Sequence, residues 1–207
     1  MFDNTKPNVI LISDLTDVVM MSKTLGPYKV ANELRKSGIE AIVIHHAHIF
    51  TLDELKYLLK NLISDKTLFI GYNSMFYMSI EGVVRDPRQP MYFKNQELGA
   101  FLPHGKSKNQ EIKEFILGLN PKCKFVLGGP RTADTSYNHD FDYLILGYAD
   151  LSIVNLAKHL LDPTTTLNKS YQSIFGPIVI NDAKAEGFNF PSSIMTYEDH
   201  DCILPNE

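Results

Sequence analysis

The chain has 207 residues, of which 44% are hydrophobic and 21% are charged, a composition typical of a folded domain rather than of a disordered chain. A formal net charge of −4 excludes the positive surface of a nucleic-acid binder and gives no attraction for an anionic membrane. The two cysteines, Cys123 and Cys202, are too few for a disulfide scaffold, a four-cysteine zinc site or a self-contained iron–sulfur cluster. Without a membrane-length apolar run or a signal peptide, we expect a cytoplasmic protein with free thiols.

The first 71 residues alternate between short apolar runs and amphipathic segments. The runs at residues 8–13, 39–45 and 67–71 are mostly apolar, as buried parallel strands are. A helix is predicted at residues 28–37, ending at Gly38. A second helix is predicted from Thr51, which can form a capping box with Glu54, to residue 63. This alternation predicts a parallel α/β sheet with right-handed crossovers.

The rest of the chain continues this pattern after an insertion at residues 81–105, which follows the third strand. Helices are predicted at residues 108–117 and 151–160, and strands at 124–127 and 141–146. We therefore expect a flavodoxin-like (Rossmann-like), doubly wound, mostly parallel sheet of five strands in the order 2-1-3-4-5. The domain is predicted to span residues 1–162. Residues 163–207, where 178–180 are compatible with a short strand, are predicted to form a connector.

Small and polar residues follow several of the predicted strands. Ligands of open parallel sheets bind at the carboxyl ends of the strands, and glycine there lets the backbone approach a flat or phosphorylated ligand. The simpler interpretation is that Gly128 and Gly129 only turn the chain, but four such loops on one edge favour a ligand site. The candidate binding residues on this edge are Ser13, Asp14, Ser74, Met75, Gly128, Gly129, Pro130, Gly147 and Tyr148.

Other kinds of site are not supported by the residues. The sequence lacks the glycine-rich fingerprint of a dinucleotide site after the first strand and the lysine of a Walker A loop. His45, His46 and His48 are close in sequence, but successive strand residues point to opposite faces, which favours structural or solvated roles over a metal site. Cys123, just before a strand, is predicted to be a core residue. No catalytic or metal-ligating residue is therefore predicted.

Several segments, taken in order, resemble the cobalamin-binding-like domain that precedes the barrel of radical SAM enzymes. Residues 25–38 (LGPYKVANELRKSG) are similar to the opening segment LGPxRIAxxLRxxGY of that family. Residues 126–130 (VLGGP) resemble its vGGp turn. Similar matches occur at residues 70–76 (IGYNSMF), 141–150 (FDYLILGYAD), 188–190 and 194–201.

The resemblance implies a corrinoid cofactor and adds Leu25 and Gly26 to the candidate binding residues. It places Ser74, Gly128 and Gly129 against the corrin and its nucleotide tail. The D-x-H-x-x-G motif, whose histidine ligates cobalt in many such domains, is absent, so the expected cobalamin has no histidine ligand from the protein. The family's glutamate-rich GegE segment is replaced by Gly-Tyr-Ala-Asp at residues 147–150.

The resemblance also implies a partner. The C-x-x-x-C-x-x-C motif that holds the 4Fe-4S cluster of radical SAM enzymes is missing, and the family places it just after a segment like residues 203–207. We therefore expect a separate or truncated accessory domain that is not catalytic by itself. It would bind a corrinoid, or dock a substrate or partner, beside a radical SAM domain that supplies the cluster and S-adenosylmethionine. The alternative is an interaction module without ligand, whose sheet edge is filled by side chains such as Met75, Phe76 and Tyr148.

Overall fold

Parallel strands and flanking helices make up the described part of the chain, which in this computed structural model is residues 6–13, 25–45, 47, 50–73, 108–129, 132, 141–147, 149–174 and 176–181. The strands are β1 Val9–Ser13, β2 Ala41–His45, β3 Phe69–Asn73, β4 Lys124–Gly129, β5 Tyr143–Leu146, β6 Ser170–Gln172 and β7 Ile178–Ile180. The helices are α1 Leu25–Lys36, α2 Leu52–Leu62, α3 Lys108–Leu119 and α4 Asp150–Leu161.

All these strands belong to one sheet of order β2-β1-β3-β4-β5-β7-β6. Every neighbouring pair is parallel except β6 and β7, which are antiparallel. The predicted α/β class with a mostly parallel sheet is therefore confirmed. The predicted number of five strands is wrong, because the described residues form seven.

The two additional strands come from residues 163–181, which the sequence assigned to a connector. In β7 the apolar run Ile178–Ile180 pairs with β5 and extends the parallel sheet. The sequence of β6 is Ser-Tyr-Gln and all three residues are exposed, so it has no apolar pattern that predicts a strand. Its pairing with β7 alone defines it. The proposed insertion at residues 81–105 lies outside the described residues.

Alternate residues along each central strand belong to two separate cores, as the two-residue period of a strand requires. On one face Ile10, Ile70 and Leu127 pack with α2 and α3. On the other face Val9, Phe69 and Val126 pack with α1 and α4. The helices therefore cover both faces of the sheet.

Two predicted helix ends are confirmed in detail. The Glu54 side chain accepts a hydrogen bond from the Thr51 backbone N–H at 2.8 Å, and the Glu54 backbone N–H donates to Thr51 Oγ1 at 3.3 Å. Gly38, just after α1, has a φ of 77°, in the left-handed region that favours glycine at a helix end. Within the described residues, no helix combines the length and the apolar character needed to cross a membrane.

Candidate functional site

A cavity of about 500 Å³ lies at the carboxyl edge of the sheet. Its walls come from β1, β3 and β4, from Gly147 after β5, and from the N-terminal turns of α1 and α4. Those two helices pack on the same face of the sheet. The cavity is therefore enclosed where strand ends and helix starts converge, the usual ligand position in open parallel sheets.

Glycines on β3 and β4 are among the residues that line the cavity. Phe69 of β3 packs in the α1–α4 core, so Gly71, two residues later, faces the same side. A Cβ atom at Gly71 would lie 2.6 Å from Leu11 Cδ2, so Leu11 occupies space that a side chain would need. At Gly128 a Cβ atom would make only an ordinary contact of 3.8 Å with Ala149 Cβ. Any side chain larger than alanine at Gly128 would extend into the cavity.

The loops after β4 and β5 are joined by their own glycines. Gly129 and Gly147 have φ values of 114° and 79°, and they form an isolated antiparallel bridge. Thr132 Oγ1 donates a hydrogen bond of 2.7 Å to the Gly129 carbonyl oxygen. Both glycines therefore adopt backbone conformations that L-residues rarely adopt, and they hold the two loops together beside the cavity.

The lining of the cavity is mainly apolar but includes two charged side chains. Among the described lining residues, Lys29 of α1 and Asp150 of α4 are the charged ones. Lys29 Nζ lies 3.6 Å from Asp150 Oδ2, and the side chains are 25% and 20% exposed. The pair thus links the two helices at the site and is largely shielded from solvent.

The structure brings four of the predicted binding residues to this cavity: Gly26, Gly128, Gly129 and Gly147. Ser13, the last residue of β1, is buried but is not one of the lining residues, and Leu25 is the first residue of α1. Asp14, Ser74, Met75, Pro130 and Tyr148 lie outside the described residues.

Sequence reasoning did not select several lining residues. Lys29 lies one helical turn after Gly26, and Ile153 lies one turn after Asp150, so helical spacing from the candidate loops could have indicated them. Gly71, inside a strand, carried a weaker signal, because a strand glycine often marks the close approach of another group.

The histidine at the end of β2 is a core residue. His45 is fully buried, and its ring centroid lies 5.6 Å from that of Tyr28. His46 and His48 lie outside the described residues. In the part of the chain that the structure describes, no group of three or more His, Cys, Asp or Glu side chains could hold a metal ion.

Cys123 is buried, as predicted, with 2% of its surface exposed. Burial, together with a smaller effect of the nearby Asp142 carboxylate, raises the pKa of its thiol from an ordinary value of 9.0 to about 12. Since only the thiolate is a good nucleophile, Cys123 is suited to packing and not to covalent chemistry.

We therefore expect the Cys123 thiol to resist modification in the native protein. In a Cys202→Ser chain, where Cys123 is the only thiol, a disulfide reagent at about pH 8 should react at least about 100-fold faster after unfolding than before. Because the unfolded thiol loses its proton from about pH 9 and the native thiol only near 12, stability should also fall as the pH rises above 9. A fast native reaction, or a Cys123→Ala chain with the same alkaline loss of stability, would contradict this prediction.

No protein-family model matches the chain, and no curated protein is similar to it in sequence. Among solved structures it is similar to the radical S-adenosylmethionine methyltransferase TsrM from Kitasatospora setae, with tryptophan substrate and a SAM analogue bound. The TM-score is 0.54 at 15% identity, and the match covers 84% of this chain and 30% of that one. A second structure of TsrM, with cobalamin and a 4Fe-4S cluster bound, has a TM-score of 0.45 at 16% identity over 76% and 25% of the two chains. This chain thus spans less than a third of the length of TsrM, and it shares its fold with part of that radical SAM methyltransferase.

Proposed function

We propose that this chain binds a corrinoid at the sheet-edge cavity and serves as a cobalamin-binding-like domain beside a radical SAM domain. The main observation behind this proposal is the cavity at the carboxyl edge of the parallel sheet, which is mainly apolar and is lined by several glycines. The proposal is supported by the fold shared with part of TsrM, a protein that has also been solved with cobalamin bound, and by the sequence segments that resemble the cobalamin-binding-like domains.

The cavity fits a part of such a ligand. Its volume of about 500 Å³ is in the range that encloses a drug-sized molecule, and a complete corrinoid is larger than that. We therefore assign the cavity to the nucleotide tail, whose flat base can pack against the backbone of Gly128. A side chain larger than alanine at Gly128 would take space from the base.

Because the D-x-H-x-x-G motif is absent from the sequence, the proposed corrinoid would receive no histidine ligand to cobalt from this chain. A bound corrinoid would supply a cobalt centre able to carry an alkyl group. The chain's own residues would position the nucleotide tail and shield it from water. The 4Fe-4S cluster and S-adenosylmethionine would belong to a partner domain or subunit, because two cysteines cannot provide the three thiolates of the family motif.

Titration with two corrinoids tests this proposal. Hydroxocobalamin carries the nucleotide tail, and cobinamide lacks it. If hydroxocobalamin binds with a Kd of about 1 µM, about 100 µM ligand should stabilise the protein by about 2.7 kcal/mol, raising the melting temperature by roughly 5–10 °C. Its visible spectrum should change as well.

Cobinamide should bind at least about tenfold more weakly, since it cannot fill the cavity. If neither the spectrum nor the melting temperature responds to hydroxocobalamin, the corrinoid proposal fails and the interaction-module alternative is favoured. Equal affinity for the two corrinoids would show that the nucleotide tail is not held in the cavity.

A further inference from the structure

The ion pair between Lys29 and Asp150 is looser than a well-formed pair. Its Nζ–Oδ2 distance of 3.6 Å exceeds the 2.7–2.9 Å typical of a charge-assisted hydrogen bond. Both side chains are nevertheless mostly buried at the cavity, where screening by salt is weaker than on an open surface. An anion that offers Lys29 a shorter contact can therefore compete with Asp150.

The position of Lys29 favours such an anion. The first turn of α1 contains no acidic residue, and a cation close to the N-terminal end of a helix is on the side that the helix dipole disfavours. Asp150, the first residue of α4, is by contrast at a favourable end for an anion. Asp150 is therefore partly stabilised by its own helix when Lys29 turns to another anion, whereas Lys29 depends on an anionic neighbour.

We propose that Lys29 is a ligand-binding residue that exchanges Asp150 for a phosphate group of the ligand. This inference rests on the proposed function. With the base of the nucleotide tail in the apolar interior, the phosphodiester that joins the tail to the corrin lies where the tail leaves the cavity. Among the described lining residues, Lys29 is the cation available to neutralise it.

In this arrangement Lys29 is the specificity-determining residue, and Asp150 is the carboxylate that competes with the ligand for it. It pairs with Lys29 when no ligand is bound and repels a ligand phosphate. A corrinoid without a phosphate would leave the Lys29–Asp150 pair in place. The ligand class selected by Lys29 is a corrinoid that carries a phosphate-linked nucleotide.

The alternative is that the pair only joins α1 to α4. The two interpretations differ in whether substitutions of Lys29 and Asp150 change hydroxocobalamin affinity in opposite directions or in the same direction. If Lys29 binds phosphate, Lys29→Met should weaken hydroxocobalamin binding by about 10- to 100-fold. Asp150→Asn should strengthen it by about three- to tenfold, because the competing carboxylate is gone. If the pair only joins the helices, both variants open the same contact and should change affinity in the same direction.

Calorimetric titration of the full chain measures the affinity of each variant for the two corrinoids. The melting temperatures of the unliganded variants verify that they are folded. The proposal is supported if Lys29→Met weakens and Asp150→Asn strengthens hydroxocobalamin binding, and if Lys29→Met has no effect on cobinamide binding. The same sign for both variants, or an equal loss with cobinamide, overturns it while leaving the proposed function intact. Wild-type protein that binds no corrinoid overturns both.

Adenosine monophosphate tests whether the phosphate bound by Lys29 belongs to a free nucleotide and not to a corrinoid. It carries a base and a phosphate but no corrin. Affinity for it at least tenfold weaker than for hydroxocobalamin is the expected result. Affinity equal to that for hydroxocobalamin would assign the phosphate to a free nucleotide and overturn the assignment to a corrinoid.

Discussion

Replacing Gly128 with leucine should abolish corrinoid binding while leaving the protein folded. Gly128 lines the cavity, and its backbone is outside the left-handed region, so a larger residue is compatible with the strand. The leucine side chain would occupy the space assigned to the nucleotide tail. We expect hydroxocobalamin affinity to fall by at least about 100-fold, equivalent to about 2.8 kcal/mol, in the same spectroscopic titration used for the wild type.

Two glycine variants are matched controls for this prediction. Gly128→Ala adds only a Cβ atom in ordinary contact with Ala149 Cβ, so most of the binding should remain. Gly129→Ala places a side chain at a φ of 114° and should lower the melting temperature, because the strain is in the backbone. Wild-type affinity in Gly128→Leu would show that the ligand is bound elsewhere. Lost binding with a melting temperature far below that of Gly128→Ala would show misfolding instead.

Leu127→Ala should have the largest effect on stability among the changes considered. Leu127 is fully buried in the core beneath α2 and α3, on the face of β4 opposite to Gly128. Truncating a buried leucine costs about 2–5 kcal/mol, as lost burial and a remaining void add together. For a chain of this size that corresponds to a melting temperature lower by roughly 4–20 °C.

Thermal unfolding followed by circular dichroism measures this effect, and Leu161→Ala is its control. Leu161, at the end of α4, is 56% exposed, so its truncation should change stability by no more than about 0.5 kcal/mol. The remaining folded Leu127→Ala protein should bind hydroxocobalamin with nearly unchanged affinity, since its void lies on the other face of the sheet. Equal melting temperatures for the two variants would contradict the assigned core.

Substitutions at two neighbouring positions on β4 are thus expected to have different effects, on stability at Leu127 and on corrinoid binding at Gly128. The two-residue period of the strand directs Leu127 into the α2–α3 core and Gly128 toward the cavity. Such alternation is visible in the sequence only where both faces have side chains. At Gly128 the missing side chain leaves space that is part of the cavity.

The sequence by itself determined the elements whose signals are local. The apolar runs of β1, β2 and β3, the amphipathic period of α1 and the Thr51–Glu54 capping box each depend on residues a few positions apart. Those patterns were sufficient for the α/β class and for selecting Gly128 and Gly147, which line the cavity at the sheet edge. They were not sufficient for β6, whose exposed Ser-Tyr-Gln sequence becomes a strand only through pairing with β7.

Only the tertiary structure decided which residues of different elements come into contact. Lys29 and Asp150 belong to helices far apart in sequence, and they come within 3.6 Å because both helices start at the same sheet edge on the same face. The close approach of Leu11 to Gly71 likewise exists only once β1 and β3 pair. Local periodicity specifies secondary structure, whereas a cavity and its charges depend on strand order and on packing across the sheet. The physical reason is that these contacts join residues with no common local pattern.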